Sequence, residues 1–320
     1  MAPFQNQFSW SPSRHRMFDT CKRQYYFNYY GSWNGWLRDS DPKAQLLYRL
    51  KKISTVPQLV GTVVHEAISN VLKAVQAGRD VVPASVETYA HKLFGRHLQD
   101  SEEQRWLQSA SKFTNLFEHY YKEPFSETDR TNWASRISSS LTAFFASQAY
   151  ATLQSTNPEH YLSIEELTDF TLADTKIWVT LDVAIRHNGA VYIFDWKTGR
   201  EREADRHQLA VYALYATSQW GIALPDLHLQ DIYLQADKVS TVELSPDDLD
   251  RTRTFVVESA SAMRALLDDI PQNTASEDTF PMTTNTNLCT TCPFKAVCYP
   301  NNEPTQEPTP EQEPTQLSLF

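Results

Sequence analysis

The sharpest chemical grouping in the chain lies on one segment: Asp182 in IWVTLDVAI, then Asp195 and Lys197 in AVYIFDWKTG. In an extended strand residues i and i+2 share a face, so Asp195 and Lys197 point the same way. Carboxylates on two neighbouring strands suit a hard divalent cation, Mg²⁺ or Mn²⁺. Such an ion lowers the pKa of a bound water and stabilises charge that builds on a phosphate. Lys197, ending an otherwise apolar strand, is placed to orient that water or to neutralise the phosphate. A lone D-x-K is more often just a solvated hairpin end, but Gln208 and Tyr212, at i and i+4 of the next helix, add a polar face beside it. His65 in GTVVHEAIS, taken by itself, reads as a packing residue.

A second grouping is made of sulfur. Cys289, Cys292 and Cys298 form C-x2-C-x5-C, and Cys21 stands far away near the N-terminus. Four thiolates suit either zinc or an iron–sulfur cluster, and spacing alone leaves both open. Either would clip the two ends of the folded body together, closing a loop of roughly 270 residues. A third grouping is basic and aromatic. Arg14, His15, Arg16, Lys22 and Arg23 precede Tyr25, Tyr26, Phe27, Tyr29 and Tyr30. Basic groups beside rings suit single-stranded nucleic acid. Most of these rings are expected in the core, because an amphipathic helix must bury one face, and some of the arginines are expected on phosphates. Lys51 and Lys52 extend the same patch.

These groups need elements to hold them. A helix is expected over 10–30, opened by Ser11 or Ser13, then an irregular stretch over 31–56 and a helix over 59–77 ending at Gly78. Helical spacing over 84–98, 102–123 and 130–152 predicts a helical insertion at about 80–155. Three strands follow, at 161–172, 176–186 and 190–196, the last two joined by the hairpin signal Asn188-Gly189. A helix at 204–220, a strand near 227–235 and a helix from Ser245-Pro246 to about Leu267 complete an α/β order.

The 320 residues divide into a body, 1–300, and a tail, 301–320. The net charge of -10 argues against nucleic acid only if it is evenly spread. It is not: the tail holds four of the 39 acidic residues and no basic one, leaving 35 acidic against 29 basic residues in the body. The Pro/Glu-rich tail is expected to be disordered, yet it ends in the apolar Gln316, Leu317, Ser318, Leu319 and Phe320, the form of a peptide that docks into a partner's pocket. No apolar run approaches the ~20 residues that span a bilayer, and the N-terminus lacks a signal-peptide core, so a soluble cytoplasmic protein without disulfides is expected. No G-x4-G-K-[ST] is present, so a DNA-opening motor, a helicase, would act in trans.

The spacing D-(13)-D-W-K-T-G followed by Q-L-A-V-Y resembles the PD-(D/E)xK nuclease superfamily, and the His of G-T-V-V-H resembles its RecB-like branch. That resemblance implies a restriction-endonuclease-like α/β core, a mixed central sheet flanked by helices. It makes His65, Asp182 and Asp195 ligands of Mg²⁺ or Mn²⁺, with the carbonyl of Trp196 as a fourth, Lys197 catalytic, and Gln208 and Tyr212 as shapers of the site. Val179 stands where the family usually has Gly. The order of one Cys, the motifs, then C-x2-C-x5-C, led by Ser11, Ser13, Arg14, Phe18, Cys21 and Tyr25, resembles the iron–sulfur nucleases of AddB, CRISPR-associated and Okazaki-processing type. It implies a [4Fe–4S] cluster on Cys21, Cys289, Cys292 and Cys298. Arg14, Arg16, Lys22 and Arg23 are the expected DNA contacts. QLSLF resembles the bacterial sliding-clamp-binding peptide. The function expected is a metal-dependent DNase, a single-strand or end-dependent exonuclease of repair or replication recruited by the clamp. A non-catalytic DNA-binding adaptor and a CRISPR-adaptation nuclease are the alternatives.

Overall fold

The computed structural model describes residues 5–299, so the QLSLF peptide and the rest of the expected tail lie outside the described residues. Instead of one helix over 10–30 there are two, α1 (Pro12–Thr20) and α2 (Lys22–Tyr26), followed by a π-helical turn at Phe27–Gly31. The break falls on Cys21, whose backbone is extended at φ -160 and ψ 113, so it closes α1 and opens α2. The stretch expected to be irregular contains a helix, α3 (Pro42–Leu50), capped by the Asp41 side chain. An Asp followed by Pro is a start signal that was legible there. After a two-residue strand β1 (Ile53–Ser54) comes α4 (Val56–Gln76), opened by a capping box of Thr55 and Gln58.

The helical insertion contains α5 (Pro83–Glu102), α7 (Glu127–Ala146) and α8 (Gln148–Gln154). The helix expected over 102–123 is largely absent. That stretch holds β2 (Asn115–Leu116), paired in parallel with β1, and the single turn α6 (Phe117–Tyr120). Ser147 divides α7 from α8 because its side chain caps the second helix from an extended backbone.

The sheet is built from β3 (Tyr161–Leu172), β4 (Thr175–His187), β5 (Ala190–Lys197), β6 (Leu227–Tyr233) and β7 (Lys238–Val242), in that spatial order. All pairings are antiparallel except β5 with β6. Asn188 (φ +50) and Gly189 (φ +84) turn β4 into β5, as the Asn-Gly signal predicts. The parallel step needs a crossover, supplied by α9 (Glu203–Gln219). Strand β7 has no counterpart among the expected elements, because its KVSTV is short and mostly exposed. After it come α10 (Pro246–Arg264) and the short α11 (Lys295–Cys298).

Two apolar layers sandwich the sheet. One packs α4, α5, α7 and α8 against Val183, Ile185, Phe194 and Trp196. The other packs α9, α10 and the N-terminal segment against Ile177, Val179, Leu181 and Ile193. A third, smaller cluster joins Phe27 and Leu47 to Phe117 and Phe294, tying the N-terminal helices to the C-terminal end. The architecture is therefore the expected mixed α/β one, a five-stranded mixed sheet flanked by helices.

Candidate active site

Four strands and two helices supply the site. Asp182 lies near the middle of β4, and its Oδ2 accepts the Trp196 amide N–H at 2.7 Å, which draws β5 beside it. From the other side α4 delivers His65. Gly61, one turn earlier, allows α4 to come close: a Cβ there would stand 3.2 Å from Thr198 Oγ1, in the turn that follows Lys197. The glycine of G-T-V-V-H thus sets how near His65 sits to the strand ends. His65 Nδ1 is 3.5 Å from Asp182 Oδ2 and 3.3 Å from Glu165 Oε1.

Glu165 was not foreseen from the sequence. It sits on β3 with φ +50, a left-handed backbone that a non-glycine residue adopts only where its surroundings enforce it. The donor atoms of His65, Glu165 and Asp182 all lie within 4.8 Å of one another, an arrangement that fits a divalent cation in both spacing and chemistry. Burial lowers the pKa of His65, but Asp182 and Glu165 outweigh it and raise it well above the ordinary value. Trp196 contributes its amide to Asp182, while its ring is buried against Phe144 at 5.0 Å.

Asp195 is turned to the other half of the site. Its Oδ2 lies 2.5 Å from Lys197 Nζ and its Oδ1 accepts from Gln208 Nε2 at 3.3 Å. Burial, with the Asp182 charge nearby, pushes its carboxyl up to about 7, against the pull of Lys197. Lys197 Nζ also donates to Gln208 Oε1 at 2.9 Å and faces Asp231 Oδ1 at 3.6 Å. Burial opposes its charge, yet the two carboxylates hold its pKa above the ordinary value. Gln208 Nε2 donates to the Tyr212 hydroxyl at 2.5 Å, which donates in turn to the Thr180 carbonyl at 2.6 Å. The i, i+4 pair on α9 thereby links Asp195 to β4.

Asp231 was also unforeseen. The parallel register pairs it with Asp195, so it flanks Lys197 from β6. It is 2% exposed, and burial lifts its carboxyl to about 6. The signal was present in LHLQDIYLQ: by alternation the acid falls on the same face as Leu227, Leu229 and Tyr233.

The thiols converge elsewhere. Cys21 sits at the α1–α2 break, Cys289 ends a single helical turn, and Cys298 ends α11. Burial first, then the neighbouring thiols Cys298, Cys21 and Cys289, pushes the Cys292 thiol up to about 12. Burial and Cys21 push Cys298 to about 11. The four thiols are thus mutual neighbours, but they show no clear cluster geometry: their sulfurs do not form a group within 4.8 Å. A closed zinc tetrahedron, with Zn–S near 2.3 Å, would set them about 3.8 Å apart.

The four basic residues expected on DNA have different surroundings. Arg14 donates to the Ser9 carbonyl and lies over the Tyr29 ring at 4.1 Å. Arg23 donates to the Phe280 carbonyl and to Glu277, both at 2.7 Å. Lys22 lies 5.1 Å from the Phe18 ring centroid. Arg16 is exposed and makes no ion pair among the described residues. Of the expected rings, Tyr25 and Phe27 are fully buried.

A mixed sheet carrying buried carboxylates and a lysine on adjacent strand ends, with a histidine from a flanking helix, defines a nuclease-type site of the restriction-endonuclease-like class. The family model of the PD-(D/E)XK nuclease superfamily matches residues 9–299, and the chain belongs to that superfamily. No characterised relative matches the chain. Among the described residues, no helix is long and apolar enough to cross a membrane.

Proposed function

We propose that the chain is a metal-dependent deoxyribonuclease that hydrolyses phosphodiester bonds in single-stranded or end-opened DNA. The observation that carries this reading is the placement of Lys197, held between Asp195 and Asp231 and next to the His65–Glu165–Asp182 group. Bound there, Mg²⁺ or Mn²⁺ would supply Lewis-acid stabilisation of the phosphate and a water of lowered pKa. His65, Glu165 and Asp182 would hold the ion, while Asp195, held by Lys197 and Gln208, lies in the other half of the site. The Lys197 ammonium, fixed by three partners, donates toward the phosphate oxygens or the attacking water. Gln208 and Tyr212 keep Asp195 and Lys197 in register, and Arg16 meets the DNA backbone.

What supports an iron–sulfur cluster is the donor set: four soft sulfur donors, one near the N-terminus and three near the C-terminal end of the body. Its role in this reading is structural, pinning α1 and α2 to the C-terminal end. The enzyme would work as an exonuclease in repair or replication, in the cytoplasm, with strand opening by a helicase in trans. Gln316, Leu317, Ser318, Leu319 and Phe320 would bring it to the bacterial sliding clamp. Such a tether raises local concentration without needing tight DNA binding by an acidic body.

The test is an assay on end-labelled single- and double-stranded DNA with Mg²⁺ or Mn²⁺, wild type beside Lys197→Ala. Metal-dependent cleavage by the wild type alone is expected. No cleavage with either ion would favour the adaptor reading. Deleting 316–320 is expected to abolish clamp binding and spare cleavage.

A further inference from the structure

Directly behind Gln208 and Tyr212 lies a cavity of about 560 Å³ that the site as described does not use. Its wall is a run of rings from separate elements. His207 lies flat against Phe255 at 5.5 Å and 18°. His15 meets Phe255 edge-on at 4.6 Å, and Trp10 stacks on His15 at 6.2 Å. Ser259 Oγ fixes this wall, bonded to Trp10 Nε1 at 2.9 Å and to His15 Nδ1 at 2.7 Å. Trp178 lines the cavity from β4.

Trp10 belongs to the buried core, but the other rings of the wall are not closed off. His207 is exposed, and His15, Phe255 and Trp178 are half-buried, whereas the rings that fill the apolar layers are closed off. The rim is polar: Arg16, Ser13, Asp19 and Glu203 line it, and none of its charged groups is ion-paired among the described residues. Lys176, 4.0 Å from the Trp178 ring centroid, lies outside the lining and is ion-paired with Asp169 at 3.2 Å.

Position gives the cavity its meaning. Thr180 and Trp178 are two and four residues before Asp182 on the same strand, about 7 Å and 13 Å along it at roughly 3.3 Å per residue. Gln208 belongs to both places, lining the cavity and bonding Asp195. A strand whose phosphate sits at the carboxylates would therefore bring its neighbouring nucleotide to this wall.

We propose that the cavity is a nucleobase subsite, which takes an unpaired base of single-stranded DNA next to the phosphate being cleaved. The base stacks on the His207–Phe255 face, a contact any base can make through its π-face. Asp19 and Glu203 accept from exocyclic amino groups, and Arg16 meets a flanking phosphate. A paired base cannot enter, so the subsite would supply the single-strand preference. The proposal rests on the nuclease reading above.

The test measures binding in EDTA, where cleavage is silent, so that it stands apart from catalysis. Fluorescence anisotropy compares an oligothymidylate dodecamer with an all-abasic dodecamer of the same phosphate number. The wild type is expected to bind the abasic strand about fivefold to about 100-fold more weakly, the worth of one base–aromatic stack. His207→Ala, an exposed site, is expected to lose most of that discrimination, and His207→Phe to restore it. In cleavage, His207→Ala should raise KM and leave kcat unchanged. Equal wild-type affinity for the two strands, or unchanged discrimination in both His207→Ala and Phe255→Ala, would overturn the subsite. Loss of cleavage with discrimination intact would instead overturn the nuclease reading alone.

Discussion

The carboxylate site and the thiol site are built in opposite ways. The first is assembled by strand register: β4 and β5 are adjacent along the chain, the Trp196 amide locks onto Asp182, and the parallel pairing sets Asp231 against Lys197. Its charged groups find partners inside the protein, Lys197 with two carboxylates and His65 with two more. The second joins chain ends through loops and short turns, and its half-buried thiols have neutral neighbours such as the Tyr299 hydroxyl, 3.9 Å from Cys289 Sγ. The difference teaches that the first site is set by strand register, whereas the second rests on loops that bring distant parts of the chain together. A buried charge left without its partner costs several kcal/mol, so removing one member of the carboxylate site lowers stability even where the fold survives.

That contrast can be broken by substitution. The largest effect is expected from Lys197→Ala, which should lower kcat by about 10²–10³-fold while thermal unfolding still shows a cooperative transition, as followed by oligonucleotide cleavage and circular dichroism. Cys292→Ser should act through stability instead. It is expected to lower Tm by several degrees, since about 1 kcal/mol moves Tm by roughly 2–4 °C in larger domains, and to bleach any visible absorption of an iron–sulfur centre. A variant unchanged in Tm and in absorption would remove the thiol site from the account.

Smaller changes sharpen the first half of the comparison. Glu165→Gln removes one oxygen charge facing His65 and is expected to weaken Mn²⁺ binding by about 10-fold, read by calorimetric titration. If affinity is unchanged, Glu165 merely pairs with His65. The smallest effect concerns α4. Thr55→Ala should cost about 1 kcal/mol through loss of the cap that starts the His65 helix, measured by urea unfolding with cleavage little altered.

Much of this was legible in the sequence, and its limits have physical causes. Strands β3, β4 and β5 and the Asn188-Gly189 turn follow from alternation and from one dipeptide that tolerates positive φ. Asp182, Asp195, Lys197, Gln208 and Tyr212 are brought together as their spacing on strand and helix implies. Glu165 could not be read, because its direction comes from a left-handed backbone that Glu does not favour on its own. Asp231 needed the β5–β6 register, a pairing made across the α9 crossover. The break at Cys21 and the loss of helix over 102–123 arise where tertiary packing overrides helical spacing. Sequence also gathered Arg14, Arg16, Lys22 and Arg23 into one patch, while the fold gives Arg14 and Arg23 to internal carbonyls and leaves Arg16 at the cavity rim.

The most direct measurement of the central claim is single-turnover cleavage of end-labelled single-stranded DNA across a Mn²⁺ titration, wild type beside Asp182→Asn. The account predicts cleavage that rises and saturates with metal in the wild type and is lost in Asp182→Asn, whose thermal unfolding remains cooperative. Cleavage that survives in EDTA, or that persists in a folded Asp182→Asn, would contradict it.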